Sequence, residues 1–291
     1  MTPRQIALAL MPPLCFGLGF AIAKPAIAHF PPLFMMLMVY GGIAIVLALT
    51  HRQPLRTPWW HIVLIAAFSV TIQGALLFRG LQGLPATTAS LILQIQVPIA
   101  VLLGWLVGGE SLDRRKLLGT AIALAGVALV IGLPSETPPV IPVLLTIAAA
   151  FAWALGQVFA QKHGRDGGIG QLKANAYGGV PQLALATLLL EHGQAASLQS
   201  ATAQQWLMLA FVGVIGFYVA YACWFAVLRQ CRMDEVAPFI LLMPVVSILA
   251  AFVLLGETIS LAQLAGGAVI MTGLAIVSGL GASSRQAPIE S

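Results

Sequence analysis

Apolar residues fall along this chain in long blocks, and polar residues collect in the short stretches between them. Ten blocks approach the roughly 20 residues that cross a bilayer as one helix. They are Ile6–Ala23, Leu33–Leu49, His61–Phe78, Ala86–Val107, Leu117–Leu133, Val140–Ala160, Ala174–Leu190, Gln205–Leu228, Val236–Leu255 and Leu261–Leu280. Nine short connections and two tails take up the rest, and no soluble domain fits among them. The pattern predicts an all-α polytopic membrane protein of ten transmembrane helices.

Composition supports this. Of 291 residues, 59% are hydrophobic and 8% charged, with a mean hydropathy of +0.96. A typical soluble domain is roughly 25% charged. The net charge of +5 is not gathered into a patch, so it does not point to nucleic acid. It follows the positive-inside rule instead. With both ends cytoplasmic, 12 of the 14 basic residues lie on the cytoplasmic side, and only Lys24 and Arg79 fall outside. Arg4 and the "AIA" at residues 21–23 mimic a signal peptide. The apolar blocks that follow at once, and Pro25 just beyond the cleavage motif, favour a retained first helix. Cys15, Cys223 and Cys231 have no paired spacing and read as apolar fillers.

The chain repeats itself. "GGESLDRRKLLGTAIALAGVALV" (residues 108–130) lies over "LGETISLAQLAGGAVIMTGLAIV" (residues 255–277) at an offset of 147. Gly109-Glu110 falls on Gly256-Glu257, Gly119 on Gly266 and Gly126 on Gly273, while Pro98 and Pro244 align one residue out of frame. "FAIAKP" (20–25) similarly resembles "FAQKHG" (159–164). Two halves follow, residues 1–135 and 136–291, each of five helices. An odd number of spans per half inserts the second half upside down. The charges agree: Asp113-Arg114-Arg115-Lys116 follows the first Gly-Glu, and Ile259-Ser260-Leu261-Ala262-Gln263 follows the second. Inverted repeats with a site at their interface mark secondary transporters.

Two five-span halves, each ending in Pro…Gly-Glu and then a Gly-x6-Gly helix, resemble the EamA family of the drug/metabolite transporter superfamily, and within it the amino-acid exporters of the YddG type. "GFAIAKPAIAHFPPL" (residues 19–33) is similar to the family's first helix, with its lysine at Lys24. The resemblance implies ten helices around a central cavity, the fourth and ninth lining it and the fifth and tenth outside. The family often has an arginine in its second helix, and none stands near Val39–Tyr40. It implies a small-molecule substrate, amino acids first, moved by alternating access across a bacterial cytoplasmic membrane.

Polar groups at membrane depth face a cavity or another helix. Gln94, Pro98, Val101 and Trp105 share a helical face. Pro98 has no N–H, which is expected to free the Gln94 carbonyl beside its amide. The alternative is an interhelical hydrogen bond. Trp153, Gln157 and Gln161 form an i, i+4, i+8 face on the sixth span, a pathway surface or plain packing. Tyr218, Tyr221 and Trp224 form a stripe on the eighth, an aromatic belt or packing before a pathway. Tyr177, Asn175 and Gln73 are weaker candidates. Lys24 and Arg79 either draw a carboxylate into an outer vestibule or snorkel to headgroups. Pro12, Pro13, Pro98, Pro181, Pro238 and Pro244 are hinges or static kinks. Both glycine pairs permit close helix contact, within a monomer or across a weak homodimer.

No carboxylate falls at mid-membrane; all nine lie in loops, tails or helix ends. That speaks for facilitated diffusion or exchange without an intramembrane carboxyl relay. GxSxG, HExxH and paired mid-membrane aspartates are absent, so an enzyme is not expected, nor a metal or cofactor. Export of other metabolites, or of multiple drugs and organic cations, is the alternative within the superfamily. A channel is the alternative from another class, without the filter loops that channels show.

Overall fold

The apolar blocks form helices in the computed structural model, which describes residues 2–107, 113–132, 139–231, 236 and 239–278. Among the described residues there are no strands. The helices are α1 (Pro3–His29), α2 (Pro32–Thr50), α3 (Trp59–Gly83), α4 (Ala86–Leu106), α5 (Arg114–Gly132), α6 (Val140–His163), α7 (Ile169–Leu190), α8 (Gln194–Ser200), α9 (Ala203–Leu228), α10 (Leu242–Leu255) and α11 (Leu261–Ser278). Eight of them are long and apolar enough to cross a membrane. The 22-residue α7 falls outside that set, and it carries Gln171, Lys173, Asn175 and Gln182. The 14-residue α10 is shorter than the expected span, because the chain turns at Leu241. The Gly109-Glu110 region (residues 108–112), Pro238 and the expected ends at 133–135 and 279–280 lie outside the described residues. Helix α8, seven residues long, lies in what the sequence reads as a loop.

Local chemistry sets the starts. Thr2 and Gln5 form a capping box at α1, with Pro3 in its first turn, and Thr202 and Gln205 repeat the box at α9. Proline acts differently inside helices. Helix α1 runs unbroken through Pro12, Pro13 and Pro25, and α7 through Pro181. Helix α4 breaks at Gln94–Ile95, just before Pro98, and α10 starts after the turn at Leu241, three residues before Pro244. Each break places a flattened turn where the proline withholds its N–H. Two segments widen to π-helix, Ala67–Ile72 in α3 and Phe211–Val219 in α9.

The helices pair in a pattern that survives exchange of the two halves. Helix α1 packs on α9 and α10, and α6 packs on α3 and α4; α2 pairs with α7, and α5 with α11. Glycines set the last pair. A Cβ on Gly119 would stand 2.7 Å from the Gly273 carbonyl oxygen, and one on Gly126 2.8 Å from that of Gly266. The helices are therefore antiparallel and touch backbone to backbone, and the 147-residue offset converts one glycine contact into the other. The two π-segments correspond at that offset, Ser69 with Gly216, and each is met by a glycine: Gly156 of α6 lies against Ser69, and Gly19 of α1 against Gly216.

Helix α2 is held at both ends by α7. Glu191 accepts the Leu33 and Phe34 N–H groups at 2.8 and 3.0 Å, at the positive end of α2. Lys173, buried, donates to the carbonyls of His51 and Gln53 at 2.7 and 2.9 Å, at its negative end. Each charge meets the helix dipole with the favourable sign. Most of the buried apolar core lies among α1–α4, α6 and α7, from Phe20, Phe30, Met35 and Met36 to Leu91, Ile92 and Leu183.

Candidate functional site

Three helices meet at the centre. Gly17 brings α1 onto the backbone of α10, since a Cβ there would stand 2.9 Å from the Met243 carbonyl oxygen. One turn on, Phe20 faces the breaks of α4 and α10. A cavity of about 10 Å³ remains, lined by Phe20, Ser90, Leu93, Gln94, Met243, Pro244 and Ser247. About that volume is the least that admits one water, so the centre is closed around almost nothing.

Its polar groups are not satisfied. The Gln94 side chain is 6% exposed, and its amide makes no hydrogen bond among the described residues. The Ser247 hydroxyl is 0% exposed and has no partner. Only Ser90 is engaged, donating to the Thr87 carbonyl at 2.9 Å. Leaving a hydroxyl such as that of Ser247 sealed and unpaired costs about 1–3 kcal/mol. The Gln94 carbonyl, expected to be free, accepts the Val97 N–H at 3.2 Å. Tightening to an i+3 turn gives it the donor that Pro98 withholds. On the side of α10 the cavity is lined by Met243, Pro244 and Ser247.

Just beyond this centre, at the end that the charge pattern assigns to the outside, a latch joins the same three helices. Glu257, past the end of α10, accepts the Ala86 and Thr87 N–H groups at 2.7 and 2.9 Å and the Thr87 hydroxyl at 2.7 Å. It thereby caps α4. Lys24 of α1 pairs with it at 3.2 Å and donates to the Leu84 carbonyl at 2.6 Å. Burial alone would raise the Glu257 carboxyl; the Thr87 hydroxyl and N–H, the Ala86 N–H and the Lys24 charge outweigh it and hold the group below its ordinary value. Gln263 at the start of α11 adds a buried bond to the Thr88 hydroxyl at 2.9 Å.

A similar clasp closes the opposite end. Asp166, between α6 and α7, accepts the Arg56 and Thr57 N–H groups, both at 2.9 Å, ahead of α3. Burial again opposes the shift, but those N–H groups, the Thr57 hydroxyl and the Arg56 charge keep its carboxyl low. Lys162 donates to the Val107 carbonyl at 3.4 Å, at the end of α4.

The other sequence candidates scatter. Arg79 reaches Gln82 at 3.4 Å. Both line a recess of about 530 Å³ between the α1–α2 turn and α8, with His29, Glu191, His192 and Ser197. Trp153 packs beside Leu103, Ala154 and Val158, where α4 meets α6. Gln157 is half-buried on the same helix, and Gln161 is exposed. Tyr221 makes an edge contact with Phe16 at 5.0 Å and stacks with Phe225 at 6.0 Å; Tyr218 packs against the core. The Tyr177 ring lies 5.4 Å from the Lys173 ammonium, and Gln73 is half-buried at the end of the α3 π-segment. Of the candidates, the structure brings only Gln94 and Pro244 to the central cavity. Ser247 was missed; its signal was a lone hydroxyl, one turn after the proline, in an otherwise apolar run. No three His, Cys, Asp or Glu side chains converge among the described residues.

A bundle of apolar helices with polar groups buried between broken helices defines a polytopic membrane protein. The comparisons give its family. The EamA-like transporter family matches residues 4–132 and again 140–279, and the chain belongs to it. It is similar to a "Probable amino-acid metabolite efflux pump" of Salmonella typhimurium, 34% identical over 95% of both chains. Another protein of that name, from Escherichia coli, is 32% identical over 95% of both. A solved crystal structure superposes with a TM-score of 0.64 at 19% identity, covering 95% of this chain and 96% of the other, which shows a shared fold. The protein is a multi-pass transporter of the inner membrane.

Proposed function

We propose that this protein exports amino acids or similar small metabolites across the bacterial cytoplasmic membrane by alternating access. In this reading ten helices cross the membrane with both termini cytoplasmic, and residues 1–135 and 136–291 are inverted halves. The exchange of helix pairings between the halves and the antiparallel glycine contacts support it. One observation carries the function: at helix breaks contributed by both halves, the buried and unpartnered Ser247 hydroxyl lines one cavity with Gln94, whose amide makes no hydrogen bond among the described residues. A static scaffold gains nothing from such groups; a site that a solute enters does. The latch of Lys24 and Glu257 shuts the outer end in this conformation. The relatives' names place amino-acid metabolites first among solutes. The glycine pairs join α5 to α11 within one chain, which fits a monomer or a weak homodimer formed through another face.

The test is efflux of labelled amino acids from proteoliposomes containing the purified protein. The described carboxylates Asp113, Asp166, Glu191 and Glu257 all lie at or beyond helix ends. Counterflow is therefore expected without a pH gradient. Absence of movement for every amino acid would refute export; a strict need for a proton gradient would refute the coupling.

A further inference from the structure

We propose that Gln94 and Ser247 together form the head-group subsite for a net-neutral, zwitterionic solute, with Phe20, Leu93 and Met243 receiving its apolar remainder. This rests on the transporter reading above. The two side chains come from opposite halves, one from the break in α4 and one from the turn after Pro244 in α10. Both are more than nine-tenths buried and neither has a partner. An amide offers two donors and an acceptor, and a hydroxyl can do either. Such a pair matches a head that carries an acceptor and a donor side by side, as a carboxylate beside an ammonium does.

Charge narrows the class. None of the residues lining the cavity is ionisable. Lys24 stands one turn from Phe20 on α1, but its charge is matched by Glu257 and its Nζ is bound to Leu84. A net cation or net anion entering here would shed water without meeting a counter-charge, whereas a zwitterion brings its own. The cavity of about 10 Å³ cannot hold such a solute. Entry requires α4 and α10 to part at their breaks, which exposes the same two polar groups to it. Specificity is then read at the moment the halves separate.

The experiment uses full-length protein in liposomes, with labelled leucine, methionine and phenylalanine as probes and lysine and glutamate as competitors. Wild-type protein should prefer the neutral probes to both charged competitors by at least about 10-fold. Ser247→Ala and Gln94→Leu should each raise the half-saturation concentration for the neutral probes between about 3- and 15-fold. Gln94→Glu, nearly isosteric, should move the ranking toward lysine by about 10-fold at pH 8. Ser247→Ala removes one buried oxygen, and a single gel-filtration peak checks its fold. Charged competitors that match the neutral probes, or variants that keep the wild-type ranking and half-saturation, would overturn this inference alone. Wild-type protein that moves no probe at all would overturn the transporter reading, and this one with it.

Discussion

Replacing Glu257 with glutamine keeps the shape of the latch and removes its charge. Four contacts change: the Ala86 N–H at 2.7 Å, the Thr87 N–H at 2.9 Å, the Thr87 hydroxyl at 2.7 Å and the Lys24 ammonium at 3.2 Å. The ion pair matters least. The Lys24 side chain is 30% exposed, and solvent-screened pairs contribute only about 0.2–1 kcal/mol. The bonds to the helix terminus matter more. A hydrogen bond to a charged acceptor contributes about 1.5–3 kcal/mol, against about 0.5–1.5 kcal/mol for a neutral one. These bonds share one carboxylate and do not add independently. A loss of about 2–3 kcal/mol follows, or a Tm lower by on the order of 5 °C. Thermal unfolding in detergent, followed by tryptophan fluorescence, measures it. The pH dependence identifies the cause. A carboxyl held below its ordinary value stabilises fully above the unfolded-state pKa, and the effect is lost as pH falls through the folded value. The two proteins should differ at pH 7, and the gap should narrow as the pH falls below the ordinary carboxylate value of about 4. The remaining carboxylates are common to both and cancel. Equal Tm values at pH 7, or a gap that persists undiminished at pH 3, would refute the role assigned to the charge.

Gly126→Leu should separate α5 from α11, because even its Cβ would stand 2.6 Å from the Ile270 nitrogen; a loss of about 3 kcal/mol or more is expected, seen as a lower Tm and aggregation on gel filtration. Gly41→Ala, with nothing within 4 Å of its Cβ, should instead leave Tm equal or slightly raised, since it only removes backbone freedom from a helix. Lys173→Met should lower stability by about 1–2 kcal/mol by stripping the donor from the end of α2, and an unchanged Tm would show that water serves the His51 and Gln53 carbonyls equally well.

How far the sequence speaks depends on the range of the interaction. Long apolar blocks must become helices in lipid, so the helices are legible, although among the described residues eight rather than ten are long and apolar enough to cross a membrane. The glycine repeat announced a close contact, though only the structure placed it between α5 and α11. The π-segments left no mark, because they are shifts of hydrogen-bond register inside ordinary apolar runs. Lys24 lies 233 residues from Glu257; nothing local reveals that this lysine of α1 answers a carboxylate beyond α10. Gln94 was visible because an amide is conspicuous in an apolar block. Ser247 was not, because a single serine is tolerated in any membrane helix.

The placement of charge and of neutral polarity follows from one energetic rule. A full charge at bilayer depth is expensive, but helix ends offer opposite partial charge and unsatisfied backbone groups. Glu191, Glu257 and Asp166 each accept two backbone N–H groups at or ahead of a helix start, and Lys173 donates to two carbonyls at a helix end. These charges fix the ends of α2 and α4 and the approach to α3, and they are not available to bind a solute without unfastening the bundle. The interior is left with neutral dipoles. A neutral group can stay unpaired for a penalty small enough to be recovered when a partner arrives, which a buried lone charge cannot. The ends of the bundle therefore hold its shape, and in the proposed transport cycle Gln94 and Ser247 at the helix breaks respond to what enters.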